Sequence, residues 1–283
     1  MALFGLKRDR AKQKAEELLR GAEAPAFKES SLRVLDRLRD PNVEFDRVTE
    51  ALQWDPGLTL KVLSVANSAA YSPRQRITDV RHAVSFLGRS KLEQITLAVA
   101  VSESLPQGDA QGFDSRRFWQ ASARRAGIAQ KLSQLLHPAH ASQAFTAGLL
   151  QDLAVPVLAH TRGETYGKLL EAWRAEPTLS LDQLERKEFG WDHGQLGGLL
   201  CASWEVPEAI AKLVALHHHK SADDRQLLPA VRLVSLLGET EAEHGDEALV
   251  ECARSEYGLD ADTVRQVVSD AGGQADELAE HLS

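Results

Sequence analysis

Apolar residues recur along this chain at spacings of three and four over most of its length, as helices with one buried face require. Leu32, Leu35 and Leu38 mark such a face over residues 31–38, and Asp40-Pro41-Asn42 ends it, because a proline pushes the residue before it out of the helical region. A second helix fits residues 43–52 and stops at Asp55-Pro56-Gly57; Leu58, Val62 and Val65 are the stripe of a third over 58–66, closed by Ser72-Pro73. Asp79 is placed to cap a helix that turns Ala83, Val84 and Leu87 inward, with Gly88 as its stop. A further helix runs over 90–104. The second half predicts a long Ala-rich helix at 118–136 and another at 142–159, with Pro156 as a kink or early end. Helices follow at 166–175, 181–189, 193–203, 207–217 and 229–244, and helix formers continue from 247 to 282 around Gly258 and Gly272-Gly273. Period-two runs of β-branched residues and repeats of fixed length are absent. The pattern predicts an all-α chain of a dozen or more short helices, with its best internal seam at 105–112.

Composition narrows the class. The 283 residues are 43% hydrophobic and 26% charged, enough apolar material for a sizeable core, and at 6% aromatic that core is mostly aliphatic. A formal net charge of −8 leaves no electrostatic footprint for nonspecific nucleic-acid binding. Cys201 and Cys252 match no zinc or redox spacing, which points to a reducing, cytoplasmic compartment. The start MALFGLKRDR lacks the apolar run of a secretory signal, and no stretch reaches the roughly 18 apolar residues of a membrane span. Charge is uneven: residues 1–20 hold six basic and three acidic groups, whereas 239–283 hold thirteen acidic groups against Arg254 and Arg265. We read a basic helical extension at 1–23 and an acidic helical extension at 239–283, the latter a solvated face or, alternatively, a partner-binding tail.

Candidate chemistry centres on histidine. On a helix from His193, residues Leu196, Gly197, Leu200 and Trp204 follow on one face, so His193 heads a buried stripe. Ile210, Leu213, Val214 and His217 share the inner face of the next helix, with His218 adjacent, and Asp152 follows Phe145 and Leu149 on another. An inward Asp with inward histidines from separate helices has the outline of a metal centre; a hydrogen-bonded polar cluster fits the spacing equally. No Gly-rich phosphate loop follows a strand, and neither Cys201 nor a Gly-x-Ser-x-Gly elbow offers a nucleophile.

Several blocks, in order, carry a family resemblance: DPGLTLKVLSVANSAAYS (55–72), RHAVSFLG (81–88), FWQAS (118–122), AFTAGLLQDLA (144–154), EFGWDHGQLGGLL (188–200), W-x-V-P (204–207) and HHH (217–219). Over roughly residues 24–238 the chain resembles the HDOD family, the HD-related output domains of bacterial signalling proteins. The resemblance implies a multi-helix, HD-like fold with an N-terminal helical half, 24–108, and an HD-related helical half, 109–238. It also implies a signal-transduction role.

The departures set the functional expectation. HD-type phosphohydrolases hold metal with a helix histidine, an adjacent His-Asp pair and later His and Asp residues. By resemblance the first position is Ala121 here, which has no donor atom, and the His of the pair is Gln151, whose amide oxygen replaces imidazole poorly. Asp152, His193, His217 and His218 remain as remnants. The expectation is a non-enzyme with no cofactor and no stoichiometric metal, the remnants satisfying one another. It would act as a regulatory module for a signalling protein partner or a small regulatory ligand, without nucleic acid or membrane. Alternatives are a metal-dependent phosphohydrolase of nucleotides or cyclic dinucleotides, and a non-hydrolysing cyclic dinucleotide receptor. Asn67 and Ser68, with Arg74, Arg76, Arg81 and Arg89 as phosphate-binding groups, are the candidate ligand or partner contacts.

Overall fold

The computed structural model describes residues 2–40, 42–68, 71–176, 179–219, 228–238, 245–271, 279–280 and 282. All its regular elements among these residues are helical, and it divides into two units: residues 27–104 with 276–283, and residues 1–26 with 105–275.

In the first of these, α2 (Glu29–Arg39), α3 (Phe45–Gln53), α4 (Pro56–Ala66) and α5 (Val80–Ser104) enclose a core that includes Val34, Leu38, Val48, Leu58, Val62 and Val84. Asp55-Pro56-Gly57 starts α4. Asp55 accepts the Leu58 N–H at 3.0 Å and the Ser30 hydroxyl at 2.6 Å, while Pro56 occupies the first turn, where its missing N–H costs nothing. Gly88, at φ +70°, breaks α5 into two segments, a conformation glycine adopts without a side-chain clash.

The second unit contains α1 (Ala2–Leu18), α6 (Ser115–Leu136), a 3-10 turn (Pro138–His140), α7 (Ala141–Leu150), α8 (Ala154–Ala175), α9 (Leu181–Phe189), α10 (His193–Ser203), α11 (Glu208–Leu216), α12 (Pro229–Val234), α13 (Asp246–Tyr257) and α14 (Ala261–Asp270). The helix expected over 142–159 is two helices. A turn at 151–153 separates them, and Pro156 lies in the first turn of α8, where it breaks no hydrogen bond. α8 then continues through a bend at Gly163 to include the helix expected at 166–175. The helix expected at 229–244 is described only as α12, residues 239–244 lying outside the described residues.

The basic end and the described residues 245–271 of the acidic stretch pack into this unit. α1 lies on α10, with Ala15 and Leu19 buried, and the Trp204 indole N–H donates to the Pro25 carbonyl at 2.7 Å. Leu249, Val250, Val264 and Val268 of α13 and α14 join Ile128 and Leu132 of α6 in one core. Most acidic residues there lie on outer faces, where Arg254 pairs with Glu251 and Arg265 with Glu247, while half-buried Asp246 pairs with Arg124 of α6 at 2.8 Å. Parts of the acidic stretch, 239–244 and 272–278, fall outside the described residues. No helix among the described residues is long and apolar enough to cross a membrane.

Candidate functional site

The turn between α7 and α8 delivers Asp152 to the interior. Its carboxylate meets side chains from α6, α10 and the end of α11. His193 Nε2 lies 3.3 Å and His217 Nε2 3.4 Å from Asp152 Oδ1. His218 Nε2 lies 2.9 Å from His193 Nε2, and the His193 and His217 Nε2 atoms are 3.3 Å apart. One ligand atom from each of these four residues falls within 4.8 Å of the others. The structure thus brings together the four remnants named from the sequence.

Close helix packing makes the meeting possible. A Cβ built on Gly198 of α10 would stand 2.6 Å from Ala215 Cβ, so only glycine allows α10 and α11 to approach this closely. Asp192 caps α10 by accepting the Gln195 N–H at 2.9 Å, which sets His193 as the first helical residue.

Two residues outside the sequence reading complete the cluster. Arg125, buried in α6 one turn after Ala121, places NH1 2.6 Å from Asp152 Oδ2, and its other terminal nitrogen donates to the Leu237 carbonyl at 3.1 Å. Glu185, fully buried in α9, accepts both the backbone N–H and the Nδ1–H of His193, each at 2.7 Å, and also accepts a hydrogen bond from the Tyr166 hydroxyl. Periodicity could have found both. Arg125 stands at the inward position between Phe118, Ala121, Ile128 and Leu132, and Glu185 stands between Leu181 and Phe189. A charge on a core stripe needs a partner of opposite sign.

Without a metal, the charges alternate. Burial alone would raise the Asp152 pKa, but the Arg125 charge and hydrogen bonds from His193 and His217 hold it well below the usual carboxylate range. Burial alone would lower that of His193, but the Glu185 charge and the Asp152 contact lift it well above the ordinary imidazole value. His218 is pushed well below that value by burial and by the neighbouring His217 and His193. The result is a chain Arg125⁺, Asp152⁻, His193⁺, Glu185⁻, each charge beside its opposite.

The donor set also fits a single divalent ion, through Asp152 Oδ1 and three imidazole nitrogens. The ligand positions lost by resemblance supply nothing: Ala121 has no donor, and the Gln151 Oε1 is buried with no hydrogen-bond partner among the described residues. Cys201 is fully buried, and burial pushes its thiol up to about 12, which excludes it as a nucleophile.

The other candidates lie in the first unit, away from this cluster in sequence. The Asn67 amide donates to the Leu63 and Ile77 carbonyls and accepts the Ile77 N–H, each at 2.8 Å, so it latches the loop after α4. Ser68 continues the same turn through its backbone. Arg81 pairs with Asp46 of α3. Arg74 and Arg76 are exposed on the loop before α5, and Arg89 is half-buried just after the Gly88 bend.

Comparison with known proteins places this geometry. A protein from Shewanella amazonensis SB2B named "Putative phosphohydrolase" has a similar structure, with TM-score 0.76 at 23% identity over 96% of this chain and 98% of that one. An HDOD domain protein of unknown function from Geobacter sulfurreducens gives TM-score 0.73 at 22% identity, covering 97% and 99%. At these identities the likeness establishes the HD-like, all-helical fold. An uncharacterized protein of Treponema pallidum (strain Nichols) is 22% identical over 219 residues, 77% of this chain but 42% of its own length, so the chain spans less than half of that relative. The HDOD domain model matches residues 24–220, most of the chain, and the chain therefore belongs to the HDOD family.

Proposed function

We propose that the chain is a non-catalytic signal-transduction module of the HDOD type, acting by binding a protein partner or, alternatively, a small regulatory ligand. The observation that carries this reading is the Arg125–Asp152 ion pair. Water activation by metal needs ions held in fixed geometry with an open coordination position. In this chain a fixed guanidinium holds one oxygen of the inward carboxylate, and the adjoining Ala121 and Gln151 offer no imidazole. Asp152 therefore has one oxygen free of the guanidinium, and its neighbours at 121 and 151 lack the imidazoles that would hold a second ion.

Exposed apolar side chains support the binding side of the reading. Trp54 is 76% exposed and Leu60 68%, on the end of α3 and the start of α4, with Phe45 and Phe86 also exposed in the same unit. Apolar groups of this size mark a contact surface where they form a contiguous patch. The experiment is turnover by the purified full chain of cyclic dinucleotides and nucleoside phosphates, with manganese, magnesium, iron or zinc added. The reading expects rates at the protein-free background; metal-dependent hydrolysis would replace it with the phosphohydrolase alternative.

A further inference from the structure

Helix α4 is packed on one side and bare on the other. Leu58, Val62, Val65 and Ala66 fill the core of its unit, whereas Gly57, Leu60 and Ser64, at the three- and four-residue spacing of a single face, are exposed. Leu60 is 68% exposed, and half-buried Leu63 lies beside it one turn on. At the N-terminal end of this face stands Trp54, 76% exposed, where the Thr59 hydroxyl ties α4 to α3 by donating to the Leu52 carbonyl at 2.8 Å. At the C-terminal end the Asn67 amide holds the Ile77 backbone, which brings the loop carrying exposed Arg74 and Arg76 to the end of α4. From Leu60 to Thr78 the sequence holds Lys61, Arg74 and Arg76 and no acidic residue. These three cations are in no ion pair among the described residues. The flanking carboxylates are engaged elsewhere: Asp55 accepts from Ser30 and Leu58, and Asp79 accepts the His82 N–H at 2.8 Å.

We infer that the outer face of α4, from Trp54 to the loop of Arg74 and Arg76, docks an acidic amphipathic helix of a protein partner. Trp54 and Leu60 are the apolar anchors for a helix that presents aliphatic residues at i, i+3, i+4 and i+7. The small side chains of Gly57 and Ser64 on either side of Leu60 let a second helix come close, a feature that a lipid surface would not use. Lys61, Arg74 and Arg76 supply charge that carboxylates on the incoming helix complement, which steers and orients it more than it tightens it. The acidic end of this chain shows the kind of segment the unit accepts. Residues 276–283 group with 27–104, and Ala279 and Leu282, three apart in a stretch with Asp276, Glu277 and Glu280, are buried.

This inference rests on the protein-partner side of the reading above, and the test keeps the two apart. The native full chain is panned with a displayed library of random peptides of about 16 residues, some four turns of helix. Enriched peptides should carry aliphatic residues at helical spacing and a net negative charge. Fluorescence anisotropy then measures one enriched peptide, synthesised alone, against the native chain, Leu60→Ser, and Arg74→Glu combined with Arg76→Glu. Binding should weaken about tenfold or more in each variant and fall as salt is added. All three replaced side chains are exposed; circular dichroism establishes that each variant is folded, and either one alone suffices for the test. No enrichment, enriched peptides without acidic excess, or binding that a folded variant leaves unchanged overturns the inference. So does self-association of the native chain, or binding to phosphatidylglycerol vesicles, that Leu60→Ser abolishes, since the face would then belong to a second copy or to a membrane. Metal-dependent turnover would overturn the non-catalytic reading and leave peptide binding at α4 intact. Failure of peptide binding alone leaves that reading standing with its small-ligand alternative.

Discussion

Removing Asp152 should cost this protein more than removing the arginine that faces it. In the chelator-stripped protein, Asp152→Ala leaves the Arg125 guanidinium buried with the Leu237 carbonyl as its remaining described partner. Arginine cannot shed its proton to escape, so the charge stays. Breaking a buried pair from one side costs about 3–5 kcal/mol. For a unit of this size that is a fall in melting temperature of about 6–20 °C, at roughly 2–4 °C per kcal/mol. Arg125→Met should cost less, because Asp152 keeps the His193 charge beside it and the methionine fills much of the space. The double variant should lose less than the sum of the singles by about 0.5–3 kcal/mol, since both remove one shared interaction. Thermal and urea unfolding followed at 222 nm measure all three. Additive losses, or an Asp152→Ala change within about 0.5 kcal/mol of zero, would show that the pair is not the structural unit described.

Further outcomes follow from the same contacts. His193→Ala should lower stability by about 1–3 kcal/mol, because it takes the imidazole partner from the buried carboxylates of Glu185 and Asp152, whereas Glu280→Ala on an exposed face should change nothing measurable; equal effects in urea unfolding would contradict this. Gly198→Ala should push α10 from α11 and cost about 1–3 kcal/mol; a neutral result in the same assay would show that the two helices separate freely. Asp55 has a pKa that burial raises but that the Leu58 N–H, the Ser30 hydroxyl and Lys28 together bring below the usual range. A carboxyl depressed in the folded state stabilises it above the unfolded value of about 3.9, and this is lost as pH falls through the folded value. Asp55→Asn should therefore flatten the acid limb of a stability–pH curve; an unchanged slope between pH 5 and 2 would refute the assignment.

The helical class is legible in the sequence from periodicity, which also turns Asp152, His193 and His217 inward; that these residues meet, with His218, is what the family resemblance implies. The spacing predicts an inward Asp152 on a helix that runs through it. It is inward, but on a turn, because the helix stops at Leu150 and Pro156 belongs to the next one. The local pattern could not show this: Ala154 to Ala159 is as good a continuation of α7 as a start of α8. Arg125 and Glu185 each sit on an apolar stripe, where the ordinary solvation of charged side chains hides their burial from the local pattern. Composition sets the charged ends apart at 23 and 239. The structure groups residues 1–26, and the described part of 245–271, with the second unit, because Ala15, Leu19, Val264 and Val268 bury apolar faces that net charge conceals.

The central claim is that Arg125, Ala121 and Gln151 leave this fold without hydrolytic chemistry. Initial rates of cyclic dinucleotide and nucleoside phosphate hydrolysis by the native full chain, saturated in turn with each divalent metal, test it most directly. The account predicts rates indistinguishable from those of Asp152→Ala and of buffer alone. Metal-dependent turnover by the native chain that Asp152→Ala abolishes would contradict it.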